Sequence, residues 1–288
     1  MSPGDFSDSA LVLIGHGSTL NAESATPTYQ HADEFRRRGI FGQVLEAFWK
    51  QEPGICAVLR GVNARRVFVV PLFISEGYFT EEVIPRELGF GIHGTPFKVQ
   101  QFPVIQQRGA QILHYCGPVG THDSMTEVLL ARANEVVAKF PNGHRAPPGE
   151  ITLFIAGHGT GNNENSRKAI ERQVDLIRSR RIYADVHPAF MEEDPRIGEC
   201  YRLAQTPNIV MVPFFISDGL HSYEDIPVML GEPERDVQER FRRGEPTWLN
   251  PTEKNGKRVW YSTSIGNEPH MADVIFERVR EAAKTVQI

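Results

Sequence analysis

The stretch ITLFIAGHGT, residues 151–160, joins a run of apolar residues to a histidine that lies between two glycines. The same pattern occurs earlier in the chain, as LVLIGHGST at residues 11–19. A short apolar run of this kind predicts a buried strand, and the glycines predict a tight turn that leaves the histidine side chain uncrowded. The fold is therefore expected to contain two equivalent strands, each ending at a histidine.

The similarity between the two halves of the chain extends far beyond these stretches. Adding 142 to a position between Gly15 and Pro85 gives its counterpart in the second half without a gap, and 24 of the 71 pairs are identical. The clearest match is VVPLFISEGYFTEEVIP at 69–85 with MVPFFISDGLHSYEDIP at 211–227. Beyond this region the offset becomes 146, which indicates a four-residue insertion near 231–258. A repeat in such a fixed register predicts two homologous domains.

We place the first domain at residues 1–140, a linker rich in proline and glycine at 141–150, and the second domain at 151–288. Each domain alternates strand-like and helix-like segments. Strands that are apolar along their whole length and separated by helices are typical of a parallel sheet covered on both faces. The predicted fold class is α/β, with two tandem homologous sandwich domains.

Composition narrows the functional class. The chain has 288 residues, of which 40% are hydrophobic, and a net charge of −5 with no basic run suited to nucleic acid. The longest apolar run, VFVVPLFI, is too short to span a membrane. Cys56, Cys116 and Cys200 form no CxxC pair, which argues against a disulfide framework, a thiolate zinc site or an iron–sulfur cluster. The first residues lack the pattern of a secretion signal, so we expect a cytoplasmic protein.

Candidate chemistry follows from the predicted sheets, because open α/β sheets bind ligands beyond the carboxyl ends of their strands. In the second domain the loops at those ends contain His158, then Glu192 and Glu193, then His221. Two imidazoles and a carboxylate suit a divalent ion such as Co²⁺, Fe²⁺, Ni²⁺ or Zn²⁺. The same groups also suit proton transfer near neutral pH.

Simpler or different interpretations of these residues remain open at this point. A histidine beside glycine is typical of a plain turn, and the segment around His221 also fits a helix start capped by Ser222 or Asp225. A dinucleotide site is disfavoured because residues 157–161 form GxGxG instead of GxGxxG. The chain has no P-loop, no GxSxG elbow and no HExxH motif, so we expect no nucleotide cofactor.

Taken together, the strand-GHG[ST] motif, the AF-x-E…P segment and the PxFIS-x-G-x-H-xxx-DIP segment resemble class II tetrapyrrole chelatases. More narrowly, they resemble the CbiX/SirB branch of sirohydrochlorin cobaltochelatases and ferrochelatases, over essentially the whole chain. The resemblance implies a cleft between the two lobes and a monomer, since a fused pair replaces the homodimer of short members. It implies ATP-independent insertion of Co²⁺, alternatively Fe²⁺ or Ni²⁺, into the tetrapyrrole sirohydrochlorin, in cobalamin or sirohaem biosynthesis.

Two other functions are weighed against this one. The first is a non-catalytic protein that carries a metal or a tetrapyrrole in the same cleft. The second is a redox or hydrolytic zinc enzyme, for which the sequence offers no supporting motif.

Carried over by position, the resemblance makes His158, Glu192 and His221 the metal-binding and catalytic residues. Their counterparts in the first half are His16, Lys50 and Phe79. The first half thus keeps one ligand of three, whereas the resemblance to long SirB-like members implies a site in the N-terminal half. We expect the first unit not to hold a metal in the same way. Phe79 and its neighbour Tyr78 offer apolar surface for a macrocycle instead.

Further substrate contacts are expected because sirohydrochlorin carries eight carboxylates. Arg167 and Lys168, early in the helix after GHGTGNNENS, are the candidate cations, and both also fit a solvated helix face. Glu193 is a rival to Glu192. Polar side chains that can donate hydrogen bonds there, or cap the helix, are Asn162, Asn163 and Ser166.

Overall fold

Each half of the repeat forms one five-stranded sheet in the computed structural model, which describes residues 5–91, 97–140, 146–159 and 164–285. The strands of the first sheet are β1 (Ser9–Gly15), β2 (Gln43–Phe48), β3 (Arg66–Pro71), β4 (Val104–Arg108) and β5 (Gln111–Tyr115). Those of the second sheet are β6 (Ile151–Gly157), β7 (Asp185–Phe190), β8 (Asn208–Pro213), β9 (Thr252–Lys254) and β10 (Lys257–Tyr261).

The two sheets share one topology. The strand orders are β2-β1-β3-β5-β4 and β7-β6-β8-β10-β9. All neighbours pair in parallel except the edge strands β4 and β9, which pair antiparallel with β5 and β10. Every residue of β1 and β6 is buried, as expected for central strands covered on both faces. The predicted α/β class with two homologous sandwich domains is confirmed, with an antiparallel edge added to each sheet.

Helices cover these sheets. The described helices are α1 (Thr26–Arg38), α2 (Ile55–Val58), α3 (Ile84–Glu87), α4 (Met125–Lys139), α5 (Glu164–Ser179), α6 (Cys200–Leu203), α7 (Ile226–Met229), α8 (Glu234–Arg242) and α9 (Met271–Lys284). A π-helical turn precedes α3 and another precedes α7, at Phe79–Val83 and His221–Asp225. Single 3₁₀ turns lie at Ala22–Ser24, Leu59–Gly61, Val119–Thr121, Pro148–Glu150 and Ile197–Glu199. Within the described ranges, no helix combines the length and the apolar character that a membrane span requires.

The last helix of each repeat packs on the sheet of the other repeat. Helix α4 follows β5 in the chain but packs on β8, β10 and α5, where Thr126 donates a buried hydrogen bond to Gln173 (2.8 Å). Helix α9 follows β10 but packs on β3, β5 and α1, where Phe276 joins the aromatic cluster of Phe6, Phe35 and Phe41. Each sheet is thus completed by a helix from the other half of the sequence.

This exchange decides the boundaries of the compact units. Unit 1 consists of Met1–Ser124 and Pro269–Ile288, and unit 2 of Met125–Glu268. These limits differ from the domains predicted at 1–140 and 151–288, because the prediction follows the sequence repeat and the units follow the packing of α4 and α9. Part of the predicted linker, residues 141–145, lies outside the described residues.

The glycines of the repeated GHG motif meet two separate requirements. A Cβ on Gly157 would lie 2.1 Å from Cδ1 of Ile170, so a side chain at this position would force the Ile170 side chain of α5 to move. Gly159 has a φ of +66°, in the left-handed region that favours glycine. The motif therefore ends the strand, turns the chain and lets a helix pack directly behind the histidine.

Candidate functional site

The site in unit 2 lies where three neighbouring strands end. Gly157 at the end of β6 is in register with Phe190 of β7, and Ala156 with Pro213 of β8. Strand β6 is also the point at which the strand order reverses, the usual place for a ligand site in open α/β sheets. The loops that follow β6, β7 and β8 therefore leave the sheet at one edge.

His158 and Glu192 are brought together by the backbone. The amide of Glu192 donates to the carbonyl oxygen of His158 (3.1 Å), which fixes the chain after β7 against the chain after β6. Nε2 of His158 lies 3.8 Å from Oε1 of Glu192. Nδ1 of His158 is buried and has no hydrogen-bond partner among the described residues. Nε2 is thus the imidazole atom that faces the site.

His221 reaches the same place from the π-helical turn after β8. Its ring centroid lies 5.1 Å from that of His158, with the two rings nearly perpendicular. The turn is held in place by Tyr261, whose buried hydroxyl donates to the carbonyl oxygen of Ser222 (2.7 Å), and by hydrogen bonds between Ser222 and Gly219. Two imidazoles and a carboxylate from three loops are therefore neighbours, as predicted from their positions at strand ends.

A second carboxylate orients His221. Oδ2 of Asp225 lies 2.6 Å from Nδ1 of His221. Asp225 makes no side-chain capping bond to α7, the role that the sequence had suggested for it. When Nδ1 carries the proton and donates it to Asp225, Nε2 keeps its lone pair for a metal ion or a proton. The spacing of four residues within HSYED was the available signal for this pair, and the sequence reasoning missed it.

The site is open to solvent. The side chains of His158, Glu192 and His221 are 31%, 59% and 52% exposed. Within the part of the chain that the structure describes, no group of three His, Cys, Asp or Glu side chains already has the spacing to hold a metal ion. The exposure of His158, Glu192 and His221 leaves all three side chains accessible to an ion or a ligand from solution.

The rival carboxylate and the predicted cations are paired with each other or with neighbours. Nη1 of Arg167 lies 2.5 Å from Oε2 of Glu193, and this hydrogen bond, with another to Glu171, raises the pKa of the Arg167 guanidinium. Nζ of Lys168 lies 2.8 Å from Oε2 of Glu164.

The roles of Arg167 and Lys168 toward substrate carboxylates remain predictions. The Oγ atom of Ser166 is buried, with no hydrogen-bond partner in the described ranges. Asn162 and Asn163 lie outside the described residues.

The equivalent place in unit 1 is aromatic. The ring of His16 makes edge-to-face contacts with Trp49 and Phe79, at centroid distances of 5.3 and 5.6 Å. Lys50, the counterpart of Glu192, places Nζ 3.6 Å from the centroid of the Trp49 ring. A phenyl ring and an ammonium group thus lie at the positions that the His221 imidazole and the Glu192 carboxylate hold in unit 2.

The chain is a two-unit α/β protein in which His158, Glu192 and His221 lie together at the strand ends of the second unit. The model of the CbiX family matches the chain twice, over residues 10–136 and 152–282. The chain therefore belongs to the CbiX family.

Relatives with similar sequences are named as cobaltochelatases. A probable sirohydrochlorin cobaltochelatase of Halobacterium salinarum is 43% identical over 285 residues, covering 96% of this chain and 92% of that protein. A sirohydrochlorin cobaltochelatase of Methanopyrus kandleri is 29% identical over 140 residues, covering 46% of this chain and 96% of that protein. The second protein is half as long, in keeping with a repeat that occurs here twice.

Solved structures support the fold. A multi-domain protein of Deinococcus radiodurans, described as structurally similar to chelatases, superposes with a TM-score of 0.74 at 32% identity over 96% of this chain. This chain spans 54% of that protein, which has two additional domains. SirB from Bacillus subtilis superposes with a TM-score of 0.64 at 18% identity over 96% of both chains, which shows the shared fold.

Proposed function

We propose that this protein inserts Co²⁺ into sirohydrochlorin without a nucleotide cofactor. The observation that carries the proposal is the convergence of His158, Glu192 and His221 at the switch point of unit 2, with Nε2 of His158 3.8 Å from Glu192. The name of the 43% identical relative, a probable sirohydrochlorin cobaltochelatase, supports both the substrate and the metal. Fe²⁺ and Ni²⁺ suit the same ligands, and the choice among them depends on geometry and supply.

The reaction assigns a role to each of these residues. When M²⁺ enters the free macrocycle, two pyrrole protons leave, so the enzyme must present the ion and accept protons beside the ring. Nε2 of His158 and Nε2 of His221 can each bind the ion or accept a proton near neutral pH. The Glu192 carboxylate offsets the charge of the ion, and Asp225 holds the His221 imidazole in the tautomer that leaves Nε2 free.

The wider setting belongs to the same proposal. We expect a monomer, because one chain already contains two units, and a cytoplasmic location, because Cys56, Cys116 and Cys200 are all unpaired. The product would enter cobalamin or sirohaem synthesis.

The test is a metallation assay under anaerobic conditions. Purified protein is mixed with sirohydrochlorin and Co²⁺, Fe²⁺ or Ni²⁺ in turn, and the visible spectrum of the macrocycle is followed with time. We expect faster insertion than in the protein-free control, fastest with Co²⁺. Binding of sirohydrochlorin or metal with no increase in rate for any ion would overturn the enzymatic proposal and favour a carrier.

A further inference from the structure

The edge of the unit 1 sheet at which its parallel strands end carries a compact group of aromatic rings and one cation. The ring centroids of Trp49 and Phe79 are 4.6 Å apart at an interplanar angle of 69°, and Tyr78 contacts Phe79 at 5.8 Å. Nζ of Lys50 lies 3.6 Å from the centre of the Trp49 ring. We call Trp49, Lys50, Tyr78 and Phe79 the aromatic platform, and His16 packs beside it against both Trp49 and Phe79.

The backbone that carries the platform has the same hydrogen bonds as the equivalent backbone in unit 2, which carries the proposed metal ligands. Here Lys50 donates from its amide to the carbonyl of His16 (2.9 Å), as Glu192 does to His158. The hydroxyl of Tyr115 donates to the carbonyl of Thr80 (2.7 Å), as that of Tyr261 does to Ser222. The frame is therefore intact, and the side chains presented on it are what differ.

Compared with unit 2, each of the four platform positions in unit 1 has an aromatic ring or a positive charge. In unit 2 the four positions that match the platform hold Met191, Glu192, Leu220 and His221. Unit 1 has an indole, an ammonium, a phenol and a phenyl ring there. The ammonium and the phenyl ring replace the proposed ligands Glu192 and His221, and the other two rings replace Met191 and Leu220. A site that had merely lost its metal would not require four such changes, and polar side chains would solvate the edge equally well.

The platform remains accessible. Tyr78 is 59% exposed, and Trp49 and Phe79 are half-buried, so part of the ring surface faces solvent. The rings lie beyond the carboxyl ends of the strands, where open α/β sheets bind their ligands. Exposed apolar surface gathered in one place marks a binding site more often than isolated exposed residues do.

The charge of the platform selects the kind of ligand. Among the described residues no carboxylate pairs with Lys50, whereas Arg167 and Lys168 in unit 2 are already paired with glutamates. An ammonium beside an indole face suits a flat conjugated molecule that carries peripheral carboxylates. Sirohydrochlorin has both features, a conjugated macrocycle and eight carboxylates at its rim.

We propose that the aromatic platform of unit 1 binds one face of the tetrapyrrole ring and that Lys50 pairs with one of its carboxylates. This inference rests on the proposed function, since it takes the same substrate, but it concerns binding of the ring and not delivery of the metal. Unit 1, which has only one of the three proposed ligands, thereby contributes to binding of the tetrapyrrole through different side chains.

The test measures the Kd of metal-free sirohydrochlorin by spectral titration for the full-length protein and its variants. Trp49→Leu and Phe79→Leu are each expected to raise the Kd about tenfold, because each removes one aromatic contact with the ring. Trp49→Phe should keep most of the affinity, since it retains an aromatic face. Lys50→Met should raise the Kd about threefold at low salt and much less at high salt, because an exposed ion pair is screened.

A matched control and a second readout separate this inference from the proposed function. Ile182→Ala removes an exposed apolar side chain at the amino-terminal side of β7 and should leave the Kd unchanged. Co²⁺ binding to the metal-free, tetrapyrrole-free protein should be the same in all platform variants. If the wild-type protein metallates sirohydrochlorin and the Leu variants bind the ring as tightly as it does, the platform inference is overturned. If the wild-type protein shows no metallation but the Leu variants lose ring affinity, the proposed enzyme activity fails and the platform inference stands.

Discussion

Nδ1 of His221 lies 2.6 Å from Oδ2 of Asp225, and the counterparts of these two residues in unit 1 are Phe79 and Val83. Both members of the pair are therefore present in one unit and both are replaced in the other. A carboxylate that only stabilised the turn would be useful in either unit. The joint replacement ties Asp225 to the imidazole and supports a positioning role.

Replacing Asp225 should impair metallation without unfolding the protein. Loss of a carboxylate that orients a ligand histidine typically costs about 10-fold to 100-fold in activity or metal affinity. We expect Asp225→Ala to lower kcat and to weaken Co²⁺ binding by amounts in this range, as measured by the metallation assay and by titration. Asp225→Glu should recover part of both.

Stability provides the control for Asp225. Both partners are about half exposed, so the pair should contribute no more than about 1 kcal/mol to the free energy of unfolding. If Asp225→Ala leaves both kcat and the Co²⁺ affinity unchanged, the contact between Asp225 and His221 is a surface interaction with no positioning role.

The two histidines of the GHG motifs should differ in their contribution to activity. His158→Ala removes a group placed for metal binding or proton transfer, and we expect the rate to fall at least about 100-fold. His16→Ala should act through the neighbouring Trp49 and Phe79, raising the KM for sirohydrochlorin about threefold with little change in kcat. Steady-state metallation kinetics of both variants decide this, and an equal loss of kcat would mean that unit 1 takes part in the chemistry.

The adjacent glutamates of unit 2 offer a second matched pair. Glu192 faces His158, whereas Glu193 is held by Arg167. Glu192→Gln should therefore weaken Co²⁺ binding and lower kcat about 10-fold or more, because it removes a negative charge at the ion. Glu193→Gln should stay within about fivefold of the wild type, the effect of losing one partly exposed ion pair. The reverse order in Co²⁺ titrations would make Glu193 the ligand.

The strand ends that carry His158 and His221 were predictable from the sequence for a physical reason. The 142-residue repeat, the glycines around His158 and the apolar strands are local patterns, and each fixes a strand end directly. Because the carboxyl ends of parallel strands lie at one edge of the sheet, the proximity of His158 and His221 could be predicted from the positions of the strands alone.

The exchange of α4 and α9 could not be predicted in this way. The two helices carry equivalent apolar positions, such as Met125 and Met271, so either helix fits either sheet by pattern. The edge strands β4 and β9 were not predicted because they are largely polar, VIQQR and TEK, and only partly buried, without the apolar run of a central strand. Asp225 was not predicted as the partner of His221, because an aspartate at a helix start is also typical of a capping residue.

The three cysteines should differ in reactivity toward a thiol reagent such as DTNB. Cys56 is exposed, whereas Cys116 and Cys200 are buried, and burial raises the pKa of the Cys200 thiol to about 12. Since the thiolate is the reactive form, Cys200 has almost none of it at neutral pH. We expect the native protein to react at Cys56 alone and the denatured protein at all three. Fast native labelling of Cys200, identified by peptide mass, would contradict this burial.

The helix exchange predicts how separated halves behave. A fragment of residues 1–140 contains α4 but lacks α9, and so leaves β3, β5 and the Phe276 contacts of unit 1 uncovered. A fragment of residues 146–288 lacks α4 and the buried hydrogen bond from Thr126 to Gln173. Each fragment alone should be poorly folded, or should self-associate so that copies supply the missing helix to each other. Co-expressed, the two fragments should assemble into a one-to-one complex that co-purifies through a tag on either half. Two fragments that each unfold cooperatively as monomers and do not associate would mean that α4 and α9 return to their own repeats.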